Sequence, residues 1–276
     1  MFQRQKICFL MITVLLCLFS VSPAGCSKDT ASPENADNPL SQGETLVQIS
    51  TIDAILNGIY DGVVNFETLK KYGDFGIGTF KGLDGEMIAF DGKYYQIKAD
   101  GVAYPVLDSM ETPFASVTFF SADKEEELPE GIDYAQLQEY LDGNLPTDNI
   151  FYAVRIEGTF SYMKTRSVPG QEKPYPPLVE VTAHQPVFEF SDVEGTIAGF
   201  RSPAYVAGVN VPGYHLHFLT SRGDAGGHIL DFKVNQAVVT IDYTSDFLMI
   251  LPGEESDFYH IDLSQDKQEE LEKAEK

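Results

Sequence analysis

The chain has 276 residues, 43% of them hydrophobic, and a formal net charge of −23. That length can bury a sizeable core without covalent staples. Such acidity argues against nucleic acid and anionic membrane surfaces as partners, and an anionic substrate would need a local basic group.

Arg4 and Lys6 form a positive n-region, Ile7 to Val21 is a short apolar run, and Ala24-Gly25-Cys26 is a small-residue cleavage site. We read residues 1–25 as a signal peptide. The run is short for a membrane span. Residues 26–43 are rich in Ser, Pro, Asn and Asp and read as a flexible tether. Cys26 after Ala-Gly resembles a bacterial lipobox, although Pro23 stands where that motif prefers Leu. The expectation is an exported protein, held at the cell surface or in the periplasm by a lipid on Cys26, with simple secretion as the alternative. Cys8 and Cys17 fall inside the signal, so no internal disulfide and no thiolate chemistry is expected. Without Arg4 and Lys6 the mature chain keeps 17 basic against 42 acidic residues, a charge of about −25.

Thr51 can cap a helix whose apolar positions are Ile52, Ile55, Leu56, Ile59 and Tyr60. Asn65 can cap a second, ended by Gly73. Gly76 and Gly78 do not follow a strand-to-helix phosphate pattern, so close backbone packing is the expected role. Glu86 to Ile97, turning at Asp91-Gly92, predicts a hairpin of type I′. A turn at Asp100-Gly101, a strand over Ser116 to Phe120 and a helix over Asp133 to Leu141 follow. Phe151 to Val168 is the longest alternating run. Its alternation places Val154, Ile156, Phe160 and Tyr162 on one face with Lys164 and Arg166, and a solvated Arg155 on the other. An Arg at the mouth of an apolar face is a candidate carboxylate clamp, with a structural ion pair as the alternative. Gly170 to Pro177 reads as a linker, and a second strand-rich region runs from Val179 to Leu251. A charged helical tail follows from Leu263. The fold class is α+β: two β-rich layers with a few short helices.

Tyr214 to Phe218 and Gly227 to Phe232 alternate on either side of Ser221-Arg222-Gly223-Asp224 and predict another hairpin. His215 and His217 share a face. A two-residue turn centred on Arg222-Gly223 would set His228 directly opposite His217, with Cβ atoms about 4.5–5.5 Å apart. Three converging imidazoles suit a divalent transition metal, zinc first, with iron, copper, nickel and manganese open. The plainer alternative is three polar side chains on a solvated face. His184 and His260 read as surface residues.

Several fragments together resemble the α-acetolactate decarboxylase family. They are Gly76-Ile77-Gly78-Thr79-Phe80, Leu83-Asp84-Gly85-Glu86-Met87-Ile88, Asp91-Gly92-Lys93-Tyr94-Tyr95-Gln96, Tyr162-Met163-Lys164-Thr165-Arg166, Tyr214-His215-Leu216-His217-Phe218 and Gly226-Gly227-His228. The resemblance covers roughly Val47 to the C-terminus. It implies two β-rich domains, a mixed sheet and a smaller antiparallel one. We place these at 44–175 and 176–262, with a tail over 263–276 reaching the site. It implies a homodimer, and zinc held by His215, His217 and His228. Catalytic carboxylates would be Glu86 and Glu275, with Glu272 as the fallback in the tail. Arg166 would be catalytic and substrate-binding, and Thr79 substrate-contacting.

The implied reaction converts (S)-2-acetolactate to (R)-acetoin and carbon dioxide, zinc acting as Lewis acid on the enediolate. The substrate carries its own electron sink, so no organic cofactor is expected. Two other classes remain open from the residues: a cupin-like metal dioxygenase, which also uses a His-x-His strand, and a non-catalytic surface lipoprotein that binds a metal or ligand.

Overall fold

The computed structural model describes residues 44–275; the signal peptide, the tether and Cys26 lie outside the described residues. Strand β1 (Thr45–Ile49) leads into helix α1 (Ile52–Leu56), where Thr51 Oγ1 accepts from the Ala54 N–H as a cap. The helix is one turn, shorter than the apolar spacing predicts. Gly58 takes a positive φ of 80° and ends it, leaving Tyr60 to bury outside the helix and donate to Pro176 O. After β2 (Val64–Asn65), Asn65 caps α2 (Phe66–Leu69). Next come β3 (Phe75–Thr79), β4 (Glu86–Phe90) and β5 (Lys93–Ile97). Asp91 and Gly92 both have positive φ, the conformation that a type I′ hairpin requires. Strands β6 (Ala103–Pro105), β7 (Glu111–Thr112), β8 (Ala115–Thr118) and β9 (Lys124–Glu127) precede α3 (Tyr134–Asp142), which opens on a reciprocal capping box between Asp133 and Gln136.

Three long strands dominate the second half: β10 (Phe151–Arg166), β11 (Val187–Ser202) and β13 (Gly226–Thr244). Helix α4 (Leu178–Thr182) precedes β11, and β12 (Gly213–Thr220) precedes β13. Strand β14 (Asp246–Ile250) and helix α5 (Gln268–Glu275) complete the fold.

The strands form a seven-stranded mixed sheet in the order β14-β1-β8-β3-β4-β5-β6, where only β14 runs parallel to its neighbour, a five-stranded antiparallel sheet, β10-β11-β12-β13-β9, and a two-stranded antiparallel pair, β2-β7. In the second sheet β10 also pairs with β13, so β10 to β13 close into a ring. Tyr152, Val154, Ile156, Phe160, Phe218 and Phe232 belong to one buried cluster. The opposite faces of β10 and β11, carrying Phe151, Ala153, Ala198 and Phe200, pack with Phe75, Ile77 and Ile88 of the seven-stranded sheet. Period-two alternation thus serves two cores at once. The chain crosses the expected division at 175/176 in both directions. Strand β10 lies before it yet belongs to the antiparallel sheet, and β14 lies after it yet joins the mixed sheet. Residues 44–275 fall within one compact unit.

Two expectations about β10 need correction. Its ladder with β13 shifts register between Thr159 and Tyr162 and again between Lys164 and Thr165. Met163, not Tyr162, therefore joins Phe160 in the core, and Tyr162 reaches outward to Glu189. Arg155 is not simply solvated: it pairs with Asp91 and Glu157 and lies over the Phe90 ring, 5.4 Å from its centroid.

Candidate metal centre

The histidine hairpin closes through a four-residue loop, not a two-residue one. Gly223 N–H donates to Thr220 O at 2.8 Å, and Thr220 N–H to Ala225 O at 2.9 Å. Adding a residue to each side of the turn leaves the ladder in step, so His217 still pairs with His228. His215 and His217 sit opposite Phe200 and Ala198 of β11, on the face that packs against the seven-stranded sheet. Gly227 makes the close approach possible. Its φ is +139°, and a Cβ there would lie 2.3 Å from the Arg166 carbonyl oxygen. That contact sets His228 opposite Arg166 at the end of β10.

The three rings lie 5.0–5.3 Å apart, centroid to centroid, and their candidate ligand atoms fall within 4.8 Å of one another. His217 Nδ1 is 2.7 Å from Met87 O on β4. The carbonyl can only accept, so Nδ1 carries the proton and the Nε2 lone pair points into the cluster. That Nε2 is buried and has no hydrogen-bond partner, a cost that a bound cation would remove. Burial, reinforced by the Arg166 guanidinium, pushes His215 down to about 3, and burial holds His217 and His228 well below the usual imidazole range. Neutral imidazoles are the form that ligates metal. The donor set fits a transition metal, and His215, His217 and His228 are the residues that would hold it.

Two carboxylates face these nitrogens. Glu86 begins β4, and its Oε2 lies 3.7 Å from His217 Nε2. Glu275 ends α5, and its Oε2 lies 3.7 Å from the Nε2 atoms of both His215 and His228. Leu271, Ala274 and Glu275 share one side of α5, with Leu271 and Ala274 buried in a cluster containing Ile52, Leu178 and Val211. Glu272 is exposed. Burial raises Glu86 to about 7, Arg166 opposing and Glu275 assisting the shift. Burial raises Glu275 as well, again opposed by Arg166. Arg166 is 3% exposed, with Nη2 3.7 Å from Glu275 Oε1. Thr79 is buried beside Glu86, its hydroxyl donating to Gly85 O at 2.7 Å.

Thr79, Glu86, Arg166, His215, His228 and Glu275 line one small cavity, walled by Ile52, Ile55, Leu83, Phe114, Val168 and Leu178. Two contributors are not evident in the sequence: the Met87 carbonyl, because backbone atoms carry no sequence signal, and Gln185, whose Oε1 accepts from Arg166 Nη1 at 2.6 Å. His184 and His260 are exposed, as expected.

Residues 46–265 match the model of the alpha-acetolactate decarboxylase family. The chain belongs to that family. An alpha-acetolactate decarboxylase of Methanosarcina mazei is 53% identical over 92% of this chain and 88% of its own length. One from Methylococcus capsulatus is 49% identical over 83% of this chain and 87% of its own. The crystal structure of the Bacillus subtilis strain 168 alpha-acetolactate decarboxylase superposes with a TM-score of 0.82 at 41% identity, covering 84% of this chain and 99% of that one. By family the chain is an enzyme, a decarboxylase of the carboxy-lyase class.

Proposed function

We propose that the chain decarboxylates (S)-2-acetolactate to (R)-acetoin with zinc on His215, His217 and His228. The observation that carries this reading is a neutral three-histidine cluster flanked by a buried carboxylate, a half-buried one and a buried guanidinium, in a chain of this family. Bound zinc would supply electrophilic stabilisation where negative charge develops on the ketone oxygen.

The remaining work falls to side chains. Arg166 orients the substrate carboxylate with a planar, permanently charged fork. The bond from the carbinol carbon to the carboxylate breaks, carbon dioxide leaves, and the electron pair passes to the ketone oxygen. A proton then returns to that carbon. Glu86, raised to about 7 by burial, and Glu275, raised in the same direction, are the groups that hold and move this proton. They approach the histidines from different elements, β4 and α5, so delivery from one side of the substrate accounts for a single product hand. Thr79 lies beside Glu86 and contacts the substrate. The apolar walls exclude water from the transient carbanion equivalent.

The test is metal-analysed protein mixed with racemic acetolactate and assayed for chiral acetoin, with and without chelator. (R)-acetoin that disappears with chelator and returns with zinc is expected; no acetoin from the zinc-loaded chain would end the reading. We further propose that the chain is exported, lipidated on Cys26 or secreted, and works as a homodimer. Mass spectrometry of the mature N-terminus and sedimentation check these, and an unprocessed N-terminus or a monomer would contradict them.

A further inference from the structure

Arg166 is buried, yet its guanidinium has one close partner. Nη1 donates to Gln185 Oε1 at 2.6 Å, Nη2 stands 3.7 Å from Glu275, and Nε is buried with no partner. Five N–H donors in a rigid fork are therefore largely uncommitted. Gln185 is itself held in place. Its N–H donates to Thr182 O at the end of α4, and the next residue, Pro186, accepts from Ser167 N–H beside Arg166. A residue before proline is confined to extended backbone, so little freedom remains there.

We propose that Gln185 is a positioning residue for carboxylate recognition. It fixes one arm of Arg166 through a neutral amide oxygen and leaves the Nε–Nη2 edge, whose only carboxylate neighbour among the described residues is Glu275 at 3.7 Å, open to an anionic substrate. This rests on the reading of Arg166 as the carboxylate clamp. The chemistry of the partner is what matters. A carboxylate at 185 would hold the arm equally well but would take the charge that the substrate needs. An apolar side chain would preserve the charge but release the arm.

The experiment compares zinc-loaded wild type, Gln185→Glu and Gln185→Met. Calorimetry measures binding of 2-hydroxy-2-methylpropanoate, an unreactive 2-hydroxy acid, and of 2-methylpropane-1,2-diol, in which a hydroxymethyl group replaces the carboxylate. Kinetics with acetolactate and melting temperature run alongside. For Gln185→Glu we expect the hydroxy acid to bind about tenfold more weakly or worse and the diol within about twofold of wild type, with KM raised about tenfold and kcat changed less. Gln185→Met raises KM by a smaller factor, at an unchanged melting temperature. Wild-type binding of both ligands by Gln185→Glu overturns the proposal. Equal weakening of acid and diol also overturns it, because that marks general damage to the site. A wild-type chain that makes no acetoin would instead defeat the functional reading, and the binding arm would still report on Gln185.

Discussion

His217 Nδ1 lies 2.7 Å from the carbonyl oxygen of Met87, and this hydrogen bond links the ring of β10 to β13 to the seven-stranded sheet. It settles the tautomer, aims Nε2 at Glu86, and makes the geometry of the site depend on how two sheets pack.

A metal that binds only the folded chain must stabilise it. Free zinc at about a hundred times its dissociation constant is worth ~2.7 kcal/mol. We expect zinc to raise the melting temperature and chelator to lower it. His228→Ala should lose the increment, since two remaining imidazoles form a poor site. Thermal denaturation with and without zinc checks this; equal melting temperatures for the wild type would refute the metal site.

Arg166→Lys keeps the charge but loses the fork. Lysine cannot present two parallel donors or satisfy Gln185 in the same geometry. The expected outcome is KM for acetolactate raised about 10–100-fold. Steady-state kinetics decide it, and an unchanged KM would remove Arg166 from substrate binding.

The cavity at the histidines takes one of its walls from the C-terminal tail, through Glu275. Helix α5 supplies that wall. It has eight residues, too few to persist alone, and docks through Leu271 and Ala274. Leu271→Ala should weaken docking by about 2–5 kcal/mol and draw Glu275 away. We expect kcat to fall about tenfold or more, zinc content to stay at the wild-type level, and proteolysis within 263–276 to quicken. Wild-type kcat in this variant would show that Glu275 does not act from α5.

Far from the site, Asp242 is buried in β13 and accepts from Ser121 N–H. Burial raises its carboxyl from the ordinary 3.8 to about 7, with Asp123, Glu44 and Asp74 assisting and the Ser121 hydrogen bond opposing. Between these values the unfolded chain has released a proton that the folded chain retains. Its contribution to stability is therefore full below 3.8 and is lost as pH rises through about 7. Asp242→Asn keeps an acceptor for Ser121 and removes the titration. The variant's melting temperature, relative to wild type, should climb between pH 4 and pH 8; a constant difference would contradict the shift.

Much of this was legible in the chain. The pairing of His217 with His228 follows from alternation and turn parity, and it survived a loop two residues longer than expected because that change moves both arms together. Caps at Thr51 and Asn65 announce two helices, since each side chain answers an orphan N–H within its own turn. Arg166 is different. Alternation put it on the face of Val154 and Phe160, but irregular pairing beyond Thr159 turned the strand, and it reaches the histidines by another route.

Local order along the chain thus determined the capped helices, the hairpins and the shared side of the imidazoles, because period and capping act over a few residues. Only the tertiary structure decided that Glu275, not Glu272, meets His215 and His228, that Met87 and Gln185 hold His217 and Arg166, and that the site lies between two sheets. Those outcomes depend on register shifts and on packing between segments far apart in sequence, and no local pattern carries the energy of contacts made across such distances.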